Sequence, residues 1–248
     1  MKPALYKPWH GLCDLLSPRR CALCSTAVPW QAQPLLRHVC ASCLPSLLSQ
    51  TGRRCLGCGL RLGPRPTAFG WVRCRHCKGH TQPWERAVVC ADYMPPQDEW
   101  LMQLKYGQQY ALAPFLAAWL AHTAQQQGAT KPDMLVPVPC SAQKLRQRGY
   151  NQAALLAHAL GRLWGIPVRA SWLLKVREVP SQAELDRAER MSNLEGVFVA
   201  TRRLSSGPRI GLVDDVITTG ATLSQCSLAL RKAGARHVDW FAICRTPE

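Results

Sequence analysis

The chain has 248 residues, 47% of them hydrophobic, with 31 Lys or Arg against 15 Asp or Glu and a net charge of +16. That is enough to bury the core of one large or two ordinary domains, and we read two. Its apolar stretches, such as "AALLAHAL" at 153–160, fall far short of the roughly 18–20 residues of a membrane span, and the N-terminus lacks the apolar segment and cleavage site of a secretory signal. The expectation is a cytoplasmic protein with no membrane span.

Residues 1–90 hold 13 Lys or Arg against the two acids Asp14 and Glu85, a net of +11, and the remainder holds 18 against 13, a net of +5. Such a basic front suits a polyanionic partner such as nucleic acid, and equally a phosphorylated small molecule or a merely soluble surface. Arg19, Arg20, Arg53, Arg54, Arg73 and Arg75 supply much of it, with Trp30 and Trp71 as aromatic candidates for base stacking or for a small core.

The front is also rich in cysteine. Cys21 and Cys24, Cys40 and Cys43, Cys55 and Cys58, and Cys74 and Cys77 are four C-x-x-C pairs, and 15 residues separate Cys24 from Cys40 and again Cys58 from Cys74. The block is a duplicated C-x2-C-x15-C-x2-C, the spacing of a zinc knuckle. Two thiolates on one tight turn reach a single ion at about 2.3 Å, and a second pair completes the tetrahedron. Disulfides are disfavoured in a reducing compartment. The spacing leaves open whether the first and last four cysteines group together or the pairs interleave. A small domain of this kind takes its folding energy from the metal, so the zinc is read as structural.

After Pro83 strands and helices alternate. Strands are expected at 86–93, 133–139, 209–215 and 237–245, and helices at 97–107, 110–128, 151–165 and 222–234. Asn151 stands as an N-cap and Gly165 as a stop for the third helix. The alternation indicates an α/β fold with a parallel sheet, residues 85–248 forming that domain and 1–84 the zinc-ribbon domain.

Ligands of such sheets bind beyond the carboxyl ends of the strands. "RIGLVDDVITTGATL" lies at that edge. Ending so apolar a strand in adjacent carboxylates, Asp214 and Asp215, costs desolvation and mutual repulsion. Thr218, Thr219, Gly220, Ala221 and Thr222 then form a turn onto a helix N-terminus, where amides and hydroxyls surround a phosphate. Carboxylates for sugar hydroxyls and amides for phosphate together describe a ribose 5-phosphate site.

"GLVDDVITTGATL" resembles the phosphoribosyl diphosphate (PRPP) motif of type I phosphoribosyltransferases. Together with "DLLSPRRCALC", "LVPVP", "LRQRGYNQAALLA" and "SQAELDRAERMSNLEGVF" it is similar, over nearly the whole chain, to the ComF family of competence and DNA-utilization proteins. The resemblance implies a zinc ribbon before a phosphoribosyltransferase domain, with Asp214 and Asp215 on the ribose hydroxyls and residues 218–222 on the 5-phosphate. It further implies Cys140 and Ser141 at the diphosphate, assisted by Lys144, Arg146 and Arg148, with magnesium bound alongside PRPP. Lys105 and a cover segment containing Arg177, Gln182, Arg187, Arg190 and Asn193 are further candidates for substrate contact. The activity implied is transfer of a phosphoribosyl group to an unidentified acceptor. The alternative is an inactive PRPP sensor or an accessory that handles single-stranded DNA with a competence or DNA-processing partner.

Overall fold

A computed structural model describes residues 19–29, 31–63, 72–177 and 194–247. Two compact units divide the chain, Met1–Ser49 and Gln50–Glu248. The boundary falls well before the change of composition near residue 84, because the second cysteine cluster packs onto the sheet that follows it.

The first unit carries Cys21, Cys24, Cys40 and Cys43, a 3-10 turn at Leu35–Arg37 and the α-helix α1 (Leu44–Ser49). Val28, Leu35, Val39 and Leu47 form its small apolar centre. The chain reverses after Cys24 through Ser25, whose φ of +61° lies in the left-handed region, and a bridge between Arg20 and Ala27 closes the turn.

In the second unit, α2 (Arg75–Lys78) belongs to the other cysteine cluster. The sheet then runs through β1 (Arg86–Asp92), β2 (Met134–Pro137), β5 (Arg209–Ile217) and β6 (His237–Arg245). Its order is β1-β6-β5-β2 and every pairing is parallel, as the alternation of strand and helix requires. β3 (Leu173–Lys175) and β4 (Phe198–Ala200) form a separate antiparallel pair.

The helices are α3 (Gln97–Tyr106), α4 (Leu112–Gln126), α5 (Ala142–Arg148), α6 (Gln152–Trp164) and α7 (Ala221–Lys232). The Asn151 side-chain oxygen Oδ1 accepts from the Ala153 amide and Gly165 closes α6 in the left-handed region at φ +64°, so both expected end signals operate. α5 has no buried residue and hence no apolar periodicity to announce it; the local signal is Ser141, whose hydroxyl accepts from the Lys144 amide at 3.1 Å. On the α7 face of the sheet, Ile210, Leu212, Ile217, Val238 and Trp240 pack with Leu223, Cys226 and Leu230 of that helix. Gly211 faces the other side of the sheet, where a Cβ would crowd Leu135 at 2.6 Å, Pro132 at 2.9 Å and Phe241 at 3.0 Å.

Candidate functional site

Asp214 and Asp215 stand inside β5 rather than as its last two residues. The strand continues to Ile217 because β6 remains in register beside it, with Asp214 opposite Ala242 and Ile217 opposite Arg245. Asp215 is 4% exposed, and its charge is met by the Lys105 ammonium at 2.5 Å. Burial alone would lower Lys105, but the Asp215 carboxylate overrides it and holds the lysine above its ordinary range. Asp214 accepts the Asp215 amide at 2.9 Å. Although Asp214 keeps some solvent access, the protein atoms packed around it, and then the charge of Asp215, push its carboxyl well above the usual carboxylate range.

A second path reaches the same carboxylate. Gln152, the first residue of α6, lies 3.5 Å from Asp215 through its amide nitrogen, while its oxygen accepts from Arg148 at 3.2 Å. Arg148 also donates to the Tyr106 hydroxyl at 2.8 Å and lies 4.5 Å from the centre of that ring. The ends of α3 and α5 and the start of α6 therefore converge on the carboxyl end of β5. In the sequence a capping explanation for Gln152 stands as good as a catalytic one, because nothing in its local pattern tells a cap neighbour from a side chain that reaches another strand. Asn151, by contrast, caps α6 and donates to the Val138 carbonyl at 2.9 Å.

Beyond β5, Gly220 takes φ +82° to start α7, and no side chain caps the helix. Neither Thr218 nor Thr222 serves as its N-cap, and Thr219 accepts only from Ala221, at 3.3 Å. Thr218 is exposed, and Thr219, Gly220 and Thr222 are half-buried, while Ala221 is buried. With the Ala221 amide engaged by Thr219, the next amides of α7, those of Thr222 and Leu223, are the ones left for an anion. On the β2 side, Cys140 is half-buried, Ser141 is buried as the cap of α5, and Lys144 and Arg146 are exposed. Burial raises the Cys140 thiol despite the nearby Arg148 and Lys144, which argues against a nucleophile. Arg190, with Gln182, Arg187 and Asn193, lies outside the described residues; Arg177 donates to the Glu195 carbonyl at 3.1 Å.

The cysteines group as the first four and the last four, which the spacing had left open. Within each set all sulfurs lie within 4.8 Å of one another, with 3.6 Å from Cys24 to Cys40 and 3.7 Å from Cys58 to Cys74. A tetrahedron of thiolates about 2.3 Å from zinc has edges of about 3.8 Å, whereas a disulfide brings sulfurs to about 2.0 Å. Both sets fit zinc and neither is a disulfide. Backbone amides support the sulfurs, Cys40 donating to Cys21 at 3.4 Å and Cys74 to Cys55 at 3.1 Å. Hydrogen bonding with Cys58 lowers the Cys55 thiol and, together with burial, raises Cys58, so Cys55 is the first sulfur of that pair to ionise.

The second cluster is fastened to the sheet. The Ala87 amide donates to the Leu56 carbonyl at 2.7 Å, and the Trp84 indole donates to Gly57 at 2.5 Å. Arg54, 1% exposed, donates to Asp92 at the end of β1 at 2.8 Å. Arg54 is therefore withdrawn from the basic surface on which the sequence had placed it, whereas Arg75 is exposed.

A parallel α/β sheet with an acidic strand end, preceded by four-cysteine clusters, defines the class. No family model matches the chain. It is 30% identical over 212 residues, 84% of this chain and 90% of the relative, to the DNA utilization protein YhgH of Salmonella typhimurium. It is 30% identical over 178 residues, 69% of this chain and 78% of the relative, to competence protein F of Haemophilus influenzae, and 29% identical over 240 residues, 91% and 95%, to competence protein ComFC of Bacillus subtilis. The chain belongs to the ComF family. Similar solved structures include a glutamine PRPP amidotransferase from B. subtilis, with TM-score 0.38 and 24% identity over 56% of this chain and 30% of that one. Another is a purine phosphoribosyltransferase from Pyrococcus horikoshii, with TM-score 0.28 and 20% identity over 62% of this chain and 75% of that one. Among the described residues no helix is long and apolar enough to cross a membrane.

Proposed function

We propose that the carboxyl end of β5 binds PRPP with magnesium and that the protein transfers its phosphoribosyl group to an acceptor. The observation that carries this reading is the carboxylate pair: Asp214 is held away from its preferred ionised state and Asp215 is buried against Lys105, an arrangement that costs stability unless a ligand uses it. In this reading Asp214 and Asp215 accept the ribose hydroxyls, and the open start of α7 with Thr218–Thr222 holds the 5-phosphate. Cys140, Ser141, Lys144, Arg146 and Arg148 face the diphosphate, and Lys105 balances the acidic pair before substrate arrives. Arg190 remains a candidate from the resemblance alone. Oxygen donors suit magnesium, which is held mainly by substrate oxygens and neutralises the leaving diphosphate when bound. The acceptor's lone pair bonds to C1 while the C1–O bond breaks and its electron pair leaves on diphosphate. Basic side chains from α5 stabilise that growing negative charge.

Calorimetric titration of PRPP is the test. Wild-type protein binds in the presence of magnesium and binding is lost in Asp215→Asn; equal titration by the two proteins refutes the site. A second reading, in which PRPP binding serves DNA handling, is favoured by relatives named for DNA utilization and competence. It requires single-stranded DNA affinity that falls steeply with salt and weakens in Arg75→Ala/Lys78→Ala.

A further inference from the structure

Three consecutive residues in the last turn of α3 reach three different parts of the site. The Leu104 carbonyl accepts from the Tyr150 hydroxyl at 2.6 Å, Lys105 pairs with Asp215 at 2.5 Å, and the Tyr106 hydroxyl accepts from Arg148 at 2.8 Å. The first contact pins the turn. Tyr150 lies in the short connection from α5 to α6, and the Tyr110 ring packs edge-on against it with centroids 4.9 Å apart. The end of α3 is therefore fastened to the segment that joins α5 to α6.

Tyr106 is 60% exposed, so its ring serves no core. The Arg148 guanidinium lies over that ring instead, 4.5 Å from its centre. One terminal nitrogen of Arg148 donates to the Tyr106 hydroxyl, and the other donates to the Gln152 side-chain oxygen at 3.2 Å. A guanidinium covered on one face and held at both terminal nitrogens has a single orientation, and three of its five N–H donors lie beyond these two contacts. A cation ordered in advance loses little side-chain freedom when an anion arrives. The other cations of α5, Lys144 and Arg146, are exposed, whereas Arg148 is half-buried.

We propose that Tyr106 is a positioning residue, which holds Arg148 in the orientation that meets the diphosphate of PRPP. The proposal rests on the PRPP reading above. Lys105 and Tyr106 then divide the site between them, the lysine balancing the ribose-side carboxylate and the tyrosine aiming the diphosphate-side arginine. The spacing between the two ends of the substrate is thus set by one turn of helix. Gln152 joins the two halves from the other side, its oxygen on Arg148 and its nitrogen 3.5 Å from Asp215.

The test is calorimetric titration of the full zinc-loaded chain with PRPP and magnesium, and with ribose 5-phosphate, which lacks the diphosphate. Tyr106→Phe keeps the ring and weakens PRPP about threefold; Tyr106→Leu loses ring and hydroxyl and weakens it about tenfold. Both variants melt with the wild type, and both hold ribose 5-phosphate within about twofold of it, since an effect carried by Arg148 is confined to the diphosphate. Arg148→Ala weakens PRPP about thirtyfold, and adding Tyr106→Leu to it changes affinity by less than about twofold, as required of one residue acting through another. Losses that add in the double variant, equal weakening of PRPP and ribose 5-phosphate, or a Tyr106→Leu affinity for PRPP within about twofold of wild type each overturn the proposal. In those cases PRPP binding by the wild type and its loss in Asp215→Asn leave the PRPP site standing. Failure of the wild type to bind PRPP overturns the underlying reading and this one with it.

Discussion

The two cysteine clusters are copies in detail. In each, the residue after the second cysteine takes a left-handed φ, +61° at Ser25 and +75° at Gly59, and its amide returns to the first cysteine's carbonyl, at 2.9 and 2.8 Å. In each, an arginine just before the first cysteine donates to that turn residue's carbonyl, Arg20 to Ser25 at 3.2 Å and Arg54 to Gly59 at 3.1 Å. Yet Arg20 and Cys24 are exposed, while Arg54, Cys55, Cys58 and Cys77 are buried. The spacing specifies a metal site twice, and what surrounds each copy decides whether that site is a local clamp or part of the core.

The largest test of that contrast is ligand loss. Cys58→Ser removes one zinc and disrupts the unit that contains the sheet, whereas Cys24→Ser removes one zinc and leaves the main thermal transition within a few degrees, because metal binding worth about 10–16 kcal/mol is coupled to whatever folds around it. Metal analysis with calorimetric melting reads both results. Next comes the arginine pair: Arg54→Ala leaves the buried Asp92 with the more distant, exposed Arg61 at 3.4 Å and costs about 3 kcal/mol in urea unfolding, and the corresponding Arg20→Ala changes stability by less than about 0.5 kcal/mol.

A smaller effect separates the turn residues. A Cβ at Gly59 would lie 2.3 Å from Val89, so Gly59→Ser, which makes the second copy match the first, costs roughly 2–3 kcal/mol by adding overpacking to backbone strain. Ser25→Gly shifts stability by under about 1 kcal/mol.

The smallest expected change carries the contrast to the acidic end of β5, where burial raises a group that no metal compensates. With its carboxyl held above the unfolded value, Asp214 in the folded chain keeps a proton that the unfolded chain has lost. Its contribution is intact below about pH 4 and is lost as pH rises through the elevated folded value. Asp214→Asn therefore stabilises the ligand-free protein at pH 8 by about 1–2 kcal/mol, has little effect at pH 4, and weakens PRPP binding. Melting at the two pH values checks the sign.

Much of this was legible in the chain. Ligand identity at both clusters follows from spacing that one ion imposes, and the parallel sheet follows from alternating apolar strands and amphipathic helices. Asp214 and Asp215 stood out because an apolar strand has no structural use for them. What was hidden depends on partners distant in sequence. Arg54 reads like any surface arginine until Asp92, 38 residues later, is placed beside it, and Lys105 shows its role only when α3 ends over β5. Gln152 was disguised by the cap next to it, and α5 by its lack of any apolar face. The division of units also escaped composition, since cysteine content falls near residue 84 while packing divides the chain at Ser49.

The position of β1 has a bearing on how the molecule is made. It lies at the edge of the sheet, and its strand partner there is β6, which leaves the ribosome about 150 residues later. During synthesis the metal knuckle riding on β1 must wait beside an unpaired edge, because no earlier strand can hold it. Assembly is thus governed by the last strand rather than the first, and the long closure makes slow, chaperone-sensitive folding the natural expectation.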